Sequence, residues 1–186
     1  MGECGLDYYW PTKDVEAGTK TQEEFEEEKK RQTLLFRKQI TLAIANDLPL
    51  MLHVRSSAGT TDAHDDVLEI LSGYREARAV FHFYTEGPEL VGRIIDAGYY
   101  VSFSGVITFG KKVSNLEEAV RLVPPDRMFA ETDTPYAAPA PYRGHTNNPL
   151  YVEYVYQKIA QLRGEDPEQV REQILKNITE FFGIEF

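Results

Sequence analysis

Met1-Gly2-Glu3-Cys4-Gly5-Leu6-Asp7-Tyr8-Tyr9 opens the chain with a short segment that carries two carboxylates, Glu3 and Asp7. Four later runs share one plan, a few apolar residues and then a polar one. They are Leu48-Pro49-Leu50-Met51-Leu52-His53, Ala79-Val80-Phe81-His82, Tyr99-Tyr100-Val101-Ser102-Phe103-Ser104-Gly105 and Arg127-Met128-Phe129-Ala130-Glu131-Thr132-Asp133. The polar markers stand at 3, 53, 82, 104 and 131, so a first interval of 50 residues is followed by intervals of 29, 22 and 27. The last three suit strand-plus-helix units of about 30 residues or fewer. Leu50–Leu52 and Ala79–Phe81 are apolar on both sides, as expected of parallel strands covered on both faces. This layout predicts one face of a TIM-like (β/α) barrel, with its polar residues at the carboxyl ends of the strands.

Helices are expected between the strands. A long one runs from about Gln22 to Asn46, with Phe36, Ile40 and Ala43 on its buried face at i, i+4 and i+7. Others fall near Asp62–Ser72, Pro88–Ala97, Asn115–Leu122, Pro149–Leu162 and Pro167–Phe182. Trp10 to Thr21 reads as a polar loop, and Thr134 to Pro149, with four prolines, as a long loop near the site. The charged run Glu23–Arg31 is a solvated helix face. No repeat, low-complexity tract or flexible linker marks a boundary, so residues 1–186 read as a single domain.

Composition sets limits. The 186 residues, 42% hydrophobic, suffice for a domain with a real core, yet a complete (β/α)₈ barrel takes roughly 250. One cysteine excludes an internal disulfide and fits a reducing, cytoplasmic setting. No stretch approaches the roughly 18 apolar residues of a membrane span, and the start lacks the pattern of a secretory signal. Twenty basic against thirty acidic residues give a net charge of −10. That argues against nucleic-acid binding through a broad basic face. An enzyme acting on phosphodiesters remains compatible, because bound divalent cations and a few residues such as Arg55, Lys111, Lys112 and Arg143 can supply local positive charge.

One Glu, two His and one Asp (Glu3, His53, His82 and Asp133) in the same position relative to successive strands suit a divalent metal. Singly, each has an ordinary reading: a strand-ending His is often a core or capping residue, and Asp before Thr-Pro often starts a turn. His64, flanked by aspartates, reads as part of an exposed helix start. His145 follows Arg143-Gly144 and either approaches a substrate or faces water.

With these motifs in view, the chain resembles the TatD-type metal-dependent deoxyribonucleases, within the superfamily of amidohydrolase-like metal-dependent hydrolases. The matching pieces are Gly2-Glu3-Cys4-Gly5-Leu6-Asp7-Tyr8-Tyr9, Gln32 through Ala45 followed by Leu48 to Arg55, His82-Phe83, Ser102-Phe103-Ser104-Gly105, Glu131-Thr132-Asp133-Thr134-Pro135, Pro141-Tyr142-Arg143-Gly144 with Asn147 and Pro149, and Asn177 to Gly183. The resemblance implies hydrolysis of DNA phosphodiesters at a site for two divalent ions, Mg²⁺, Mn²⁺ or Zn²⁺. It implies Glu3 as the shared carboxylate, His53 and His82 as ligands of one ion, and Asp133 as ligand of the other and base for the attacking water. Glu131 joins Asp133 in the catalytic pair, beside a phosphate contacted by Arg143 and Arg55. Two cations roughly 3.5–4 Å apart would clamp both oxygens of an in-line displacement at phosphorus.

The resemblance also implies an absence. The family opens with a His-x-His pair on its first strand, which this chain lacks. The Glu3 segment resembles the family's fourth strand, so the five strands correspond to strands 4–8 of an incomplete barrel, amino-terminally truncated. Met1 is an acceptable filler of a buried strand position, so an internal methionine taken as the start is one explanation. The expectation is therefore a chain with little activity of its own. The alternative is a non-catalytic remnant that self-associates through open barrel edges or acts as an interaction protein.

Overall fold

The computed structural model describes residues 1–184 and, within them, every side chain but those of Lys111 and Lys112. Five strands form one sheet in the order β1-β2-β3-β4-β5: β1 (Cys4–Asp7), β2 (Leu50–Arg55), β3 (Ala79–Phe81), β4 (Tyr100–Phe103) and β5 (Met128–Ala130). The strands are parallel and helices flank them, an α/β arrangement. The chain divides into two compact units at the Phe81–His82 bond.

In the first unit, β1 pairs with β2 in the register Gly5↔His53 and Asp7↔Arg55, and β2 pairs with β3. Helix α2 (Gln22–Ala45) starts at a capping box in which the Thr21 hydroxyl accepts from Glu24 N–H and the Glu24 carboxylate accepts from Thr21 N–H. It buries Phe25, Phe36, Ile40 and Ala43. Helix α3 (Asp62–Ser72) adds Val67, Ile70 and Leu71 to a core with Leu6, Tyr8, Leu50 and Leu52. Each such aliphatic or aromatic side chain contributes about 1.5–3 kcal/mol by leaving water.

Three expectations change here. Trp10–Thr21 is not all loop: Tyr9–Glu16 forms helix α1. Pro11 lies in its first turn, where a missing N–H costs nothing. Glu3 precedes β1 rather than ending it. Met51 is half-exposed between buried Leu50 and Leu52, because β2 alternates: Leu50 and Leu52 enter the core, while Met51, His53 and Arg55 share the more open face.

Gly5 explains how β1 lies so close to β2. Its φ is +138°, and a Cβ there would stand 2.3 Å from the His53 carbonyl oxygen. Only glycine permits that approach.

In the second unit, α4 (Pro88–Asp96), α5 (Ser114–Leu122), α6 (Val152–Arg163) and α7 (Pro167–Phe182) accompany β4 and β5. Two short 3₁₀ turns, Gly105–Thr108 and Gly110–Val113, precede α5, and another, Pro149–Tyr151, leads into α6. Asp166 caps α7 by accepting from Glu168 and Gln169 N–H, and α6 ends at Gly164 in the left-handed region, φ 69°. Asn177, fully buried, donates through Nδ2 to Pro125 O at 2.7 Å and Met128 O at 2.9 Å, tying α7 to the entry of β5. No helix among the described residues is long and apolar enough to cross a membrane.

Two predictions test these features. Gly5→Ala is expected to destabilise the protein by about 3 kcal/mol or more, since it combines a glycine-only conformation with a backbone clash; urea denaturation of both proteins measures it, and an unchanged midpoint contradicts the reading. Asp62 carries the second. Burial raises its pKa, but hydrogen bonds from the Ser57 hydroxyl and N–H, the Thr60 hydroxyl and Ala63 N–H outweigh that and hold it below 3.8. A carboxyl depressed by folding stabilises above its unfolded pKa and ceases to do so as pH falls through the folded one. The urea-midpoint gap between wild type and Asp62→Asn should therefore be full near neutrality and shrink below pH 3.8.

Candidate metal centre

Glu3 is exposed in the bend before β1, and His53 is the fourth residue of β2, on its open face. His82 is bonded directly to Phe81, the last residue of β3, and its side chain is 7% exposed. Each of the three offers one ligand atom, and those atoms all lie within 4.8 Å of one another. One carboxylate and two imidazoles converging in this way fit a divalent cation of the Zn²⁺ or Mn²⁺ kind.

Both imidazoles are held from behind. His53 Nε2 lies 3.1 Å from Asp7 Oδ2. A carboxylate requires the N–H on that nitrogen, which leaves the lone pair of the neutral ring on Nδ1. Burial raises the Asp7 pKa, but the hydrogen bonds from His53 and Tyr9 N–H and the nearby charge of Arg55 outweigh it and hold the carboxyl below its usual range. Asp7 is itself fixed by α2. Its N–H donates to Gln32 Oε1 at 2.8 Å, and Gln32 Nε2 donates to its carbonyl at 2.9 Å. The amide thus pairs with the main chain of β1 much as another strand would.

His82 has a different support. Its Nδ1 lies 3.4 Å from Glu131 Oε1, and the same oxygen accepts from Phe83 N–H at 2.6 Å. This places the lone pair of the neutral ring on Nε2. Carboxylates on the far nitrogen of a ligating histidine fix its tautomer and raise its basicity. Glu131, expected as a catalytic residue, lies beside His82 and takes the Phe83 N–H.

Asp133 sits in the turn after β5, half-buried, at φ +56°, with Tyr136 N–H donating to its carbonyl at 2.8 Å. Buried Asn147 shapes this turn by donating to Thr132 O and Tyr136 O, both at 2.6 Å. Among the described residues the convergent group comprises Glu3, His53 and His82, without Asp133. The Arg55 guanidinium stacks 3.9 Å over the Tyr9 ring, and that of Arg143 lies 4.2 Å over the Phe109 ring. Lys111 and Lys112 lie outside the described side chains.

The other histidines separate clearly. His64 is buried, not an exposed helix start: its Nδ1 is 2.9 Å from Ser56 Oγ, and its ring stacks against Phe81. With Ala63, it is a first-turn residue of α3 that faces the core. His145 is exposed. Sequence reasoning did not single out Asp7 and Gln32. Their one signal was membership of the quoted motifs, since partners 46 and 25 residues apart leave no local pattern.

Residues 1–183 match the family model described as TatD related DNase. The chain belongs to that family. Over its whole length it is 35% identical to the uncharacterized metal-dependent hydrolase YcfH of Escherichia coli (strain K12), of which it covers 63%. It is 33% identical over 99% of its length to the uncharacterized metal-dependent hydrolase YabD of Bacillus subtilis (strain 168), covering 65% of that protein. The chain thus spans less than two thirds of these relatives. Among solved structures it resembles YjjV, a TatD homolog from E. coli K12, with a TM-score of 0.76 and 26% identity over 85% of this chain and 59% of that one. An amidohydrolase from Saccharomyces cerevisiae shares the fold, with a TM-score of 0.72 at 16% identity over 96% of this chain and 63% of that one.

The supporting carboxylates yield a prediction. Asp7→Asn and Glu131→Gln should each lower Zn²⁺ or Mn²⁺ affinity about 10–100-fold, with the far-ultraviolet circular dichroism unchanged. Calorimetric titration of the three proteins checks this. Equal affinities would mean that the carboxylates serve only the fold.

Proposed function

We propose that this chain carries the metal-binding part of a metal-dependent hydrolase that cleaves DNA phosphodiesters. The observation that carries the reading is the convergence of Glu3, His53 and His82, each histidine backed by its own carboxylate. Membership of the TatD-related DNase family supports DNA as the substrate class.

Glu3, His53 and His82 would hold a divalent ion, which when bound supplies a Lewis acid for the phosphate and lowers the pKa of water. The remaining work falls to the protein. Asp7 and Glu131 keep the two imidazoles in fixed tautomers, so no reorganisation is needed when the substrate arrives. In this reading Asp133 accepts the proton of the attacking water. Its left-handed turn, clamped by Asn147, fixes where the carboxylate starts. Arg143 and Arg55 bind phosphate oxygens through charge-assisted hydrogen bonds.

The test is steady-state hydrolysis of a short single-stranded DNA in Mg²⁺ or Mn²⁺, with and without chelator, by a form extended with the amino-terminal part of a relative such as YcfH, of which this chain covers 63%; the 186-residue chain alone should show little activity. Cleavage should vanish with chelator. Asp133→Asn should lower kcat at least about a hundredfold, the scale of a lost general base. Arg143→Ala should raise KM with a smaller effect on kcat, as for a contact already made in the ground state. Chelator-resistant cleavage would overturn the reading, and an active Asp133→Asn protein would remove Asp133 from the mechanism.

A further inference from the structure

Beside the candidate metal centre lies a small surface of which the proposed hydrolysis uses only Arg55. Trp10, the one tryptophan of the chain, is 60% exposed. Its ring meets the half-buried Tyr9 ring edge to face, with centroids 5.1 Å apart. The exposed Arg55 guanidinium lies 3.9 Å from the Tyr9 centroid and 5.4 Å from that of Trp10. The three therefore set one exposed indole ring beside an arginine-covered tyrosine.

Their position is fixed by the strands. Arg55 is the last residue of β2, two positions beyond His53 on the same face. Tyr8 N–H donates to Arg55 O at 2.8 Å, and Tyr9 N–H donates to Asp7 Oδ1 at 3.0 Å. The other oxygen of Asp7 holds His53. Tyr8 itself is fully buried and anchored through its hydroxyl to Asp66 Oδ2 at 2.8 Å, so the start of α1 is pinned. A lone exposed tryptophan is an ordinary surface residue. One packed beside an arginine-covered tyrosine, one carboxylate away from a candidate metal ligand, forms a built surface.

We propose that Tyr9, Trp10 and Arg55 form a stacking platform for an unpaired nucleobase of the strand whose phosphate reaches the Glu3–His53–His82 group. The proposal deepens the hydrolase reading and rests on it. The chemistry selects the occupant. A net charge of −10 leaves little capacity to grip a strand by phosphate neutralisation alone. Stacking on aromatic rings is indifferent to that charge and tolerates any base. A guanidinium stacked on a ring keeps the N–H groups in its plane directed outward, where they meet a phosphate or a base edge. A base inside a duplex has both faces covered, so the platform favours single strands or frayed ends.

Trp10 is its own reporter. The full chain is titrated in Mg²⁺ with a six-nucleotide oligothymidylate carrying phosphorothioate linkages, and with an abasic oligomer of equal length, while tryptophan emission is read. Saturable quenching by the oligothymidylate is expected, with affinity about tenfold weaker for the abasic strand and for Arg55→Ala. Trp10→Ala and Tyr9→Ser, checked for folding by circular dichroism, are followed by anisotropy of a fluorescein-labelled strand and should bind about tenfold more weakly. Absence of quenching, or equal affinity for the abasic strand, overturns the platform. Unchanged binding by Trp10→Ala, while the amino-terminally extended protein cleaves DNA, sinks the platform alone. Quenching that follows the expected pattern, while the extended protein shows no chelator-sensitive cleavage, supports the platform and sinks the hydrolase reading.

Discussion

The close approach of β1 to β2 at Gly5 is the constraint on which the site depends. With no side chain at Gly5, the backbone lies against the carbonyl of His53. The same register sets Asp7 opposite Arg55 and brings its carboxylate to the His53 ring. A strand one Cβ further away would separate the imidazole from its support, and Glu3, just upstream of the same strand, from its neighbours. The packing of α2 and α3 behind these strands makes the approach permanent: close-packed cores resist shifts of even a methylene.

The two histidines solve one problem in two ways. His53 is backed by a carboxylate on the adjacent strand, while His82 is backed by Glu131, which follows β5 and also takes the main-chain N–H of Phe83. One ring is directed through Nδ1 and the other through Nε2. Neither support is a long, adaptable side chain: both carboxylates are themselves held by main-chain donors. That is the rigidity expected of a site whose geometry is preset.

Much of this was legible beforehand. The strands announced themselves as apolar runs, and Pro88, Pro149, Pro167 and Gly183 punctuated the helices close to their observed ends. Glu3, His53 and His82 stood out because a carboxylate and two imidazoles recurred beside successive strands. What escaped was long-range or disguised. Pro11 and Gly18 made α1 look like loop. His64 looked solvent-facing among its aspartates, although the face of α3 that it occupies is the one carrying Ala63, Val67 and Leu71 inward. Asp7, Gln32 and the positioning role of Glu131 depend on partners 25 to 48 residues away, and no local spacing encodes those.

Asp7 divides its two oxygens between His53 and the main chain of Tyr9. A group shared in this way obliges its two clients to influence one another. If a cation draws the imidazole into a narrower range of orientations, the carboxylate follows, and the amide that starts α1 follows with it. Linkage is reciprocal: whatever a cation at His53 gains from an ordered Tyr9, a ligand resting on Tyr9 gains from the cation. Occupancy at one end of this short hydrogen-bonded chain is then a reading of occupancy at the other, in the absence of any larger movement of the protein.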